Sequence, residues 1–400
     1  MSCPTIDIDL IITTPVQPEP TVRQRGSRRR RRGGASRPEV LRRPRAVSPI
    51  DGERQKKQPE NERADARPRH DRKYDRPAYT LSTFVPRPVQ PFYLALRALN
   101  VSLSMIPDTT SSHTIGLMRL QFWRDAVTKA LAGAPPKEPV AVLLAAAIAD
   151  RHEQTQGRAR ISKRWLTRMI DAREQTLTND PYPNLAALET YAENTYSTLM
   201  YLTLAALPLT SVTADHVASH IGKATGIVAI LKGLPLVAFP PPAPRSPQGG
   251  GAGATKQGAV MLPLDIMAET GVQEEAVFRQ GADAPGLRDA VFTVATRASD
   301  HLITVDQMLA NLRAGQDVGH AFEHEGEEGH DHPTAPGGGA DSAPLQEVHR
   351  AFGVYMPAVA TRLWLDRLQQ VDFDIFQPDL LRSDWRLPWK AYWAFQRRKL

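Results

Sequence analysis

The chain has 400 residues, 41% of them hydrophobic, with 34 prolines, 26 glycines and a formal net charge of +7. That is too long for one ordinary core and too rich in proline and glycine to be globular throughout, so a folded body must carry low-complexity pieces. The sole cysteine, Cys3, excludes an internal disulfide or a cysteine metal cluster in the body.

The positive charge is local. Between Arg23 and Arg45 eleven arginines face one acid, Glu39, which leaves the rest of the chain slightly acidic. A basic groove for nucleic acid on the folded body is thereby excluded, and the arginine run reads as a tail or a targeting element. Residues 1–88 lack apolar periodicity and read as disordered. Residues 20–50 have the arginine-rich, acid-poor character of a mitochondrial transit peptide, whereas residues 1–19 carry Asp7, Asp9 and Glu19.

Residues 89–400 form the expected body. "YLALRALNVSLSMI" places apolar residues at helical spacing up to Pro107, and "TIGLMRLQFWRDAVTKALAG" ends at Gly133 and a Pro-Pro pair. Further helices are predicted at 138–153, 160–177, 184–206, 212–234, 272–280, 286–313, 346–371 and 385–398. No stretch alternates with period two, so the class is all-α. Two proline-, glycine- and acid-rich stretches, about 239–258 and 315–344, read as loop insertions. "VAVLLAAAIAD" is shorter than the ~18 apolar residues that a bilayer span needs, which makes any membrane attachment peripheral.

Few constellations carry chemistry. His320, His324, His330 and His332, among acids, suit zinc or nickel by ligand type, but a glycine-rich loop supplies no fixed geometry, and no metal site is expected. "LMRLQFWRDAV" offers Arg119, Gln121, Trp123 and Arg124, a phosphate-binding fork or, with Asp125 as counter-charge, a structural set. Asp372 and Asp374, two apart near a helix end, do not make a catalytic pair. No glycine-rich phosphate loop and no GxSxG elbow occur. In "HIGKATGIVAILKGLPL" one face, Val217, Ile221, Ala224, Val228 and Leu231, belongs to the core. The other holds Gly222, Gly226, Ala229, Gly233 and Val237, a stripe of small residues that lines a cleft or lets two helices approach closely.

"GLMRLQFWRDAV", "YAENTYSTLMYL", "ADHVASHIGKATGIV", "VMLPLDI" and "QQVDFDIFQP", in this order, resemble the squalene and phytoene synthase superfamily, and within it the mitochondrial branch that assists complex I assembly. The resemblance implies an isoprenoid-synthase-like helical bundle over residues 92–398. In that family's enzymes two aspartate-rich helices hold magnesium, and magnesium holds the substrate diphosphate. Carried across, the first motif falls on Ser104, Met105 and Asp108 and the second on Ala229, Gly233 and Val237, so one carboxylate remains where magnesium needs several oxygen ligands. Arg119, Arg124 and Asp265 cannot replace the missing acids.

The resemblance therefore implies a pseudoenzyme without cofactor or metal, on the matrix side of the inner membrane and peripheral to it. Its expected partners are complex I subunits or other assembly factors, with no nucleic acid. Gly222, Gly226 and the arginine–tryptophan helix are the expected cleft or partner-binding residues, and a lipid, an isoprenoid or a hydrophobic subunit segment is the expected occupant. The competing readings are an active magnesium-dependent prenyl transferase and a ribosome- or nucleic-acid-associated factor working through the arginine tail.

Overall fold

The computed structural model describes residues 75–110, 112–209, 211–240, 258–316 and 343–400. The arginine run, Cys3, the histidine tract and most of both loop insertions lie outside these residues. The described residues form helices and turns with no strand, the all-α class that periodicity predicts.

The centre is α9. Helices α1 (Arg76–Leu81), α2 (Gln90–Ser104), α3 (Ile106–Thr109), α4 (His113–Leu131), α5 (Pro139–Gln154), α6 (Lys163–Gln175), α7 (Leu185–Ala192) and α8 (Thr198–Ala206) precede it. Helix α9 itself spans Val212–Ala238, 27 residues, or about 40 Å. It starts where the Ser211 hydroxyl accepts the Ala214 amide at 3.3 Å and runs on through Pro235, past the expected end at 234.

Helix α9 averages apolar enough over 18 residues to cross a membrane, although no uninterrupted apolar run does so; 67% of that window is buried inside the fold. It is thus the core helix of a bundle. Val217, Ile221, Ala224, Val228 and Leu231 are all buried, and each larger apolar side chain so buried contributes about 1.5–3 kcal/mol.

Around α9 stand α7, α8, α12 (Leu287–Arg313) and α14 (Pro357–Gln370), with α12 making the broadest contact. Helix α2 packs on α5, and α4 on α6, building a second layer. Helices α10 (Leu264–Thr270), α11 (Glu274–Gln280) and α13 (Ala343–Ala351) are short, and α15 (Leu387–Arg397) lies over α14 and α1.

Three expectations shift. The ordered body starts before residue 89: Asp75 caps α1 through the Ala78 amide at 3.3 Å, and Ala78 and Leu81 are buried. The segment 346–371 is not one helix, because Pro357 opens α14 after a 3-10 turn over Phe352–Tyr355. The segment 184–206 holds a π-helical turn, Glu193–Ser197, between α7 and α8.

Candidate functional site

Tyr93 and Arg97 lie one turn apart on α2, and Thr225, Val228, Ala229 and Lys232 follow helical spacing on α9. With Thr361 and Trp364 of α14 and Tyr196 of the π turn they enclose a cavity of about 160 Å³. The two long walls are joined by Thr225 and Thr361, whose hydroxyls are 3.1 Å apart. The segment Leu380–Asp384 closes one side. Trp364 Nε1 donates to the Leu380 carbonyl at 3.2 Å and Arg367 to the Arg382 carbonyl at 2.8 Å, which fixes that segment on α14.

The cavity's two carboxylates are both engaged. Asp75 accepts from Arg97 Nε at 2.9 Å and from its terminal nitrogen. Burial opposes the guanidinium's charge, but the Asp75 carboxylate outweighs it and raises Arg97 above its ordinary value. Asp384 is held low first by its hydrogen bond from Arg386, at 2.8 Å to the terminal nitrogen. Lys232 stands over the Trp364 ring at 5.4 Å from its centroid.

Of the twelve site residues that sequence points to, only Ala229 lines this cavity. Ser104, at the buried end of α2, donates to the Val101 carbonyl at 2.9 Å. Met105 is half-buried at the break between α2 and α3, and Asp108 is exposed on α3. Gly233 is buried and Val237 half-buried near the end of α9.

Gly222 and Gly226 face neither cavity nor solvent. A Cβ on Gly222 would overlap the Ser197 backbone, and one on Gly226 would stand 2.5 Å from the Ala192 Cβ and 2.8 Å from its Cα. The stripe is therefore split: Gly222 and Gly226 let α9 approach α7 and the π turn, while Ala229 borders the cavity.

The arginine–tryptophan helix is also a packing element. Arg119 donates to the Thr109 hydroxyl at 2.8 Å, tying α4 to α3, and Gln121 donates to Asp125 at 3.1 Å. Trp123 is buried. Arg124 pairs with Asp171 at 2.7 Å and with Glu174, both on α6. Asp125 is not its counter-charge: it accepts from Gln121 one turn back, while Arg124 turns to the acids of α6. Asp265 accepts the Leu185 amide at 3.1 Å at the start of α7.

Two buried polar networks escaped the sequence. Glu193 in the π turn accepts from the Tyr201 hydroxyl at 2.5 Å and the Ser219 hydroxyl at 2.9 Å, with Lys223 at 3.9 Å. His216, His220 and His301 form a chain, 3.2 and 2.9 Å between ring nitrogens, that ends on Glu189 at 2.7 Å. The i,i+4 spacing of His216 and His220 is the only trace of it in the sequence.

Magnesium does not fit the residues present. The motif positions offer one exposed carboxylate, Asp108, and the cavity's two acids are tied to arginines. Among the described residues no group of three or more histidines, cysteines or acids is placed to hold a metal ion.

A central helix buried among helices, with a cavity against it, makes an all-α bundle, and its solved structural neighbours make the fold isoprenoid-synthase-like. A crystal structure of a dehydrosqualene synthase in complex with ligand superposes with a TM-score of 0.58 at 12% identity, over 84% of this chain and 97% of that one. The chain belongs to the squalene/phytoene synthase family, whose sequence model matches residues 71–393. It is 35% identical over 321 residues to NADH dehydrogenase (ubiquinone) complex I, assembly factor 6 of Rattus norvegicus, and 36% identical to that of Bos taurus. Each comparison covers 80% of this chain and 78% of the relative.

Proposed function

We propose that the protein is a non-catalytic member of its family that acts in assembly of respiratory complex I, within mitochondria and peripheral to the matrix face of the inner membrane. The relatives' names support the assembly role. One observation carries the loss of catalysis: the cavity's carboxylates, Asp75 and Asp384, are both committed to arginines. A diphosphate entering here would meet no metal-binding acids.

The cavity's size points the same way. At about 160 Å³ it is small beside the roughly 300–1,000 Å³ of ordinary ligand sites. It suits part of an apolar chain, such as a lipid or isoprenoid tail or a hydrophobic side chain of a complex I subunit, better than a whole prenyl diphosphate. Val228, Ala229, Trp364 and Leu387 supply apolar walls, and Lys232 and Arg97 supply polar ends.

The test is direct. Purified protein incubated with farnesyl or geranylgeranyl diphosphate and magnesium is expected to release no diphosphate above a protein-free control. Sustained, protein-dependent release would establish the prenyl-transferase reading instead.

A further inference from the structure

Helix α15 and the turn just before it have an unusual outer face. Trp385 is 79% exposed, Trp389 66%, Trp393 54% and Tyr392 46%, so three of the chain's six tryptophans stand in water within nine residues. Leu387 and Ala391, on the inner face, are buried, and the helix is seated on α14 and α1. The aromatic face is thus presented outward on a fixed helix.

The segment itself is basic. Residues 385–400 contain Arg386, Lys390, Arg397, Arg398 and Lys399 and no acid. Arg386 is occupied by Asp384, and Arg398 lies over Phe395 and Phe352. Lys390, Arg397 and Lys399 are exposed beside the rings, with Arg397 over Trp393 at 5.3 Å.

We propose that this face docks on an anionic phospholipid bilayer. Tryptophan and tyrosine rings rest at headgroup depth, with an apolar body in the acyl boundary and a polar edge in water. Exposed lysine and arginine beside them gain from anionic headgroups. A helix with aromatic rings outward, buried aliphatics inward and exposed cations at its margins has the chemistry of that interface.

The same edge of the fold borders the cavity. Leu387 of α15 lines the cavity, as do the exposed Arg382 and Ser383 just before it. Docking by α15 sets that edge at the bilayer. This rests on the peripheral-membrane part of the proposed function, and the experiment separates the two.

The full chain is mixed with phosphatidylcholine vesicles, with and without phosphatidylglycerol, and with vesicles of brominated lipid. Vesicle binding is read by sedimentation, and ring insertion by quenching of tryptophan fluorescence. The arginine tail adds to binding on anionic vesicles, so quenching is the decisive readout. The expected result is strong quenching with anionic brominated vesicles. The variant W385S/W389S/W393S should lose most of it and bind about tenfold more weakly, with an unchanged helical circular-dichroism spectrum. Binding without quenching of the wild-type chain, or quenching that persists in the variant, overturns the assignment to α15 and leaves peripheral attachment standing. No binding to any vesicle overturns both. The wild-type quenching needs no variant to fold.

Discussion

At the scale of single residues, Gly226 and Ala229 sit three apart on α9 and do different work. Gly226 meets the Ala192 backbone at a distance no side chain tolerates, whereas Ala229 borders the cavity. A bulky group at position 226 therefore tests helix packing, and only position 229 tests the cavity. Sequence spacing alone assigned both to one face. It does not say which neighbouring element each small residue meets, because that depends on chain far away in sequence.

Glu189 is the residue with the clearest dependence on pH. Burial raises its carboxyl, but hydrogen bonds from His301 and Arg297 outweigh burial and hold it at about 2, below its ordinary 4.5. The unfolded chain therefore takes up a proton first as pH falls. The stability that Glu189 lends is full above about pH 4.5 and drains away as pH falls toward 2. Urea denaturation of wild type and Glu189→Gln should show a stability gap above pH 5 that closes across this window. A gap that stays constant from neutral pH to about pH 2.5 would contradict the pairing.

At the scale of elements, legibility followed length and period. Helices α2, α4, α5 and α12 stand close to their expected limits because each carries a long apolar stripe, a cap or a terminating glycine or proline. Helix α1 was missed since six residues show no period; it is held by the Asp75 cap and by burial of Ala78 and Leu81 against the body. The same pairing that caps α1 brings Asp75 to Arg97, and so completes one wall of the cavity. Local signals cannot show a helix whose stability is tertiary.

The π turn between α7 and α8 was equally hidden. Its five residues continue a helical pattern, and only the buried hydrogen bonds of Glu193 to Tyr201 and Ser219 show why the chain is wound wider there. Replacing Glu193 with alanine removes the buried carboxylate that accepts from Tyr201 and Ser219 and faces Lys223. The expected loss is about 3 kcal/mol in chemical denaturation, and a loss under about 0.5 kcal/mol would show that the turn does not depend on this carboxylate.

At the scale of the whole molecule, an isoprenoid-synthase-like fold surrounds a cavity whose two carboxylates, Asp75 and Asp384, both pair with arginines. The class and family were legible from ordered motifs such as "HIGKATGIV" and "VDFDIF". The cavity was legible only at Ala229, because the arginines singled out on α4 turn toward α3 and α6. Tyr93, Arg97, Lys232 and Trp364, which shape the site, carry no motif. They converge from three helices, a relation set by packing alone.

The cavity and the assembly role meet in one measurement. Cells lacking the protein are given back either the wild-type chain or Ala229→Phe, and the levels of respiratory complexes I, III and IV are compared on native gels. A phenyl group at the cavity wall should fill it, and the variant's thermal melting, read alongside, shows that the chain still folds. Complex I alone is expected to be low without the protein, the wild type to restore it, and the folded Ala229→Phe chain to leave it several-fold reduced. Full restoration of complex I by the folded variant, or an equal fall of all three complexes without the protein, would contradict this expectation.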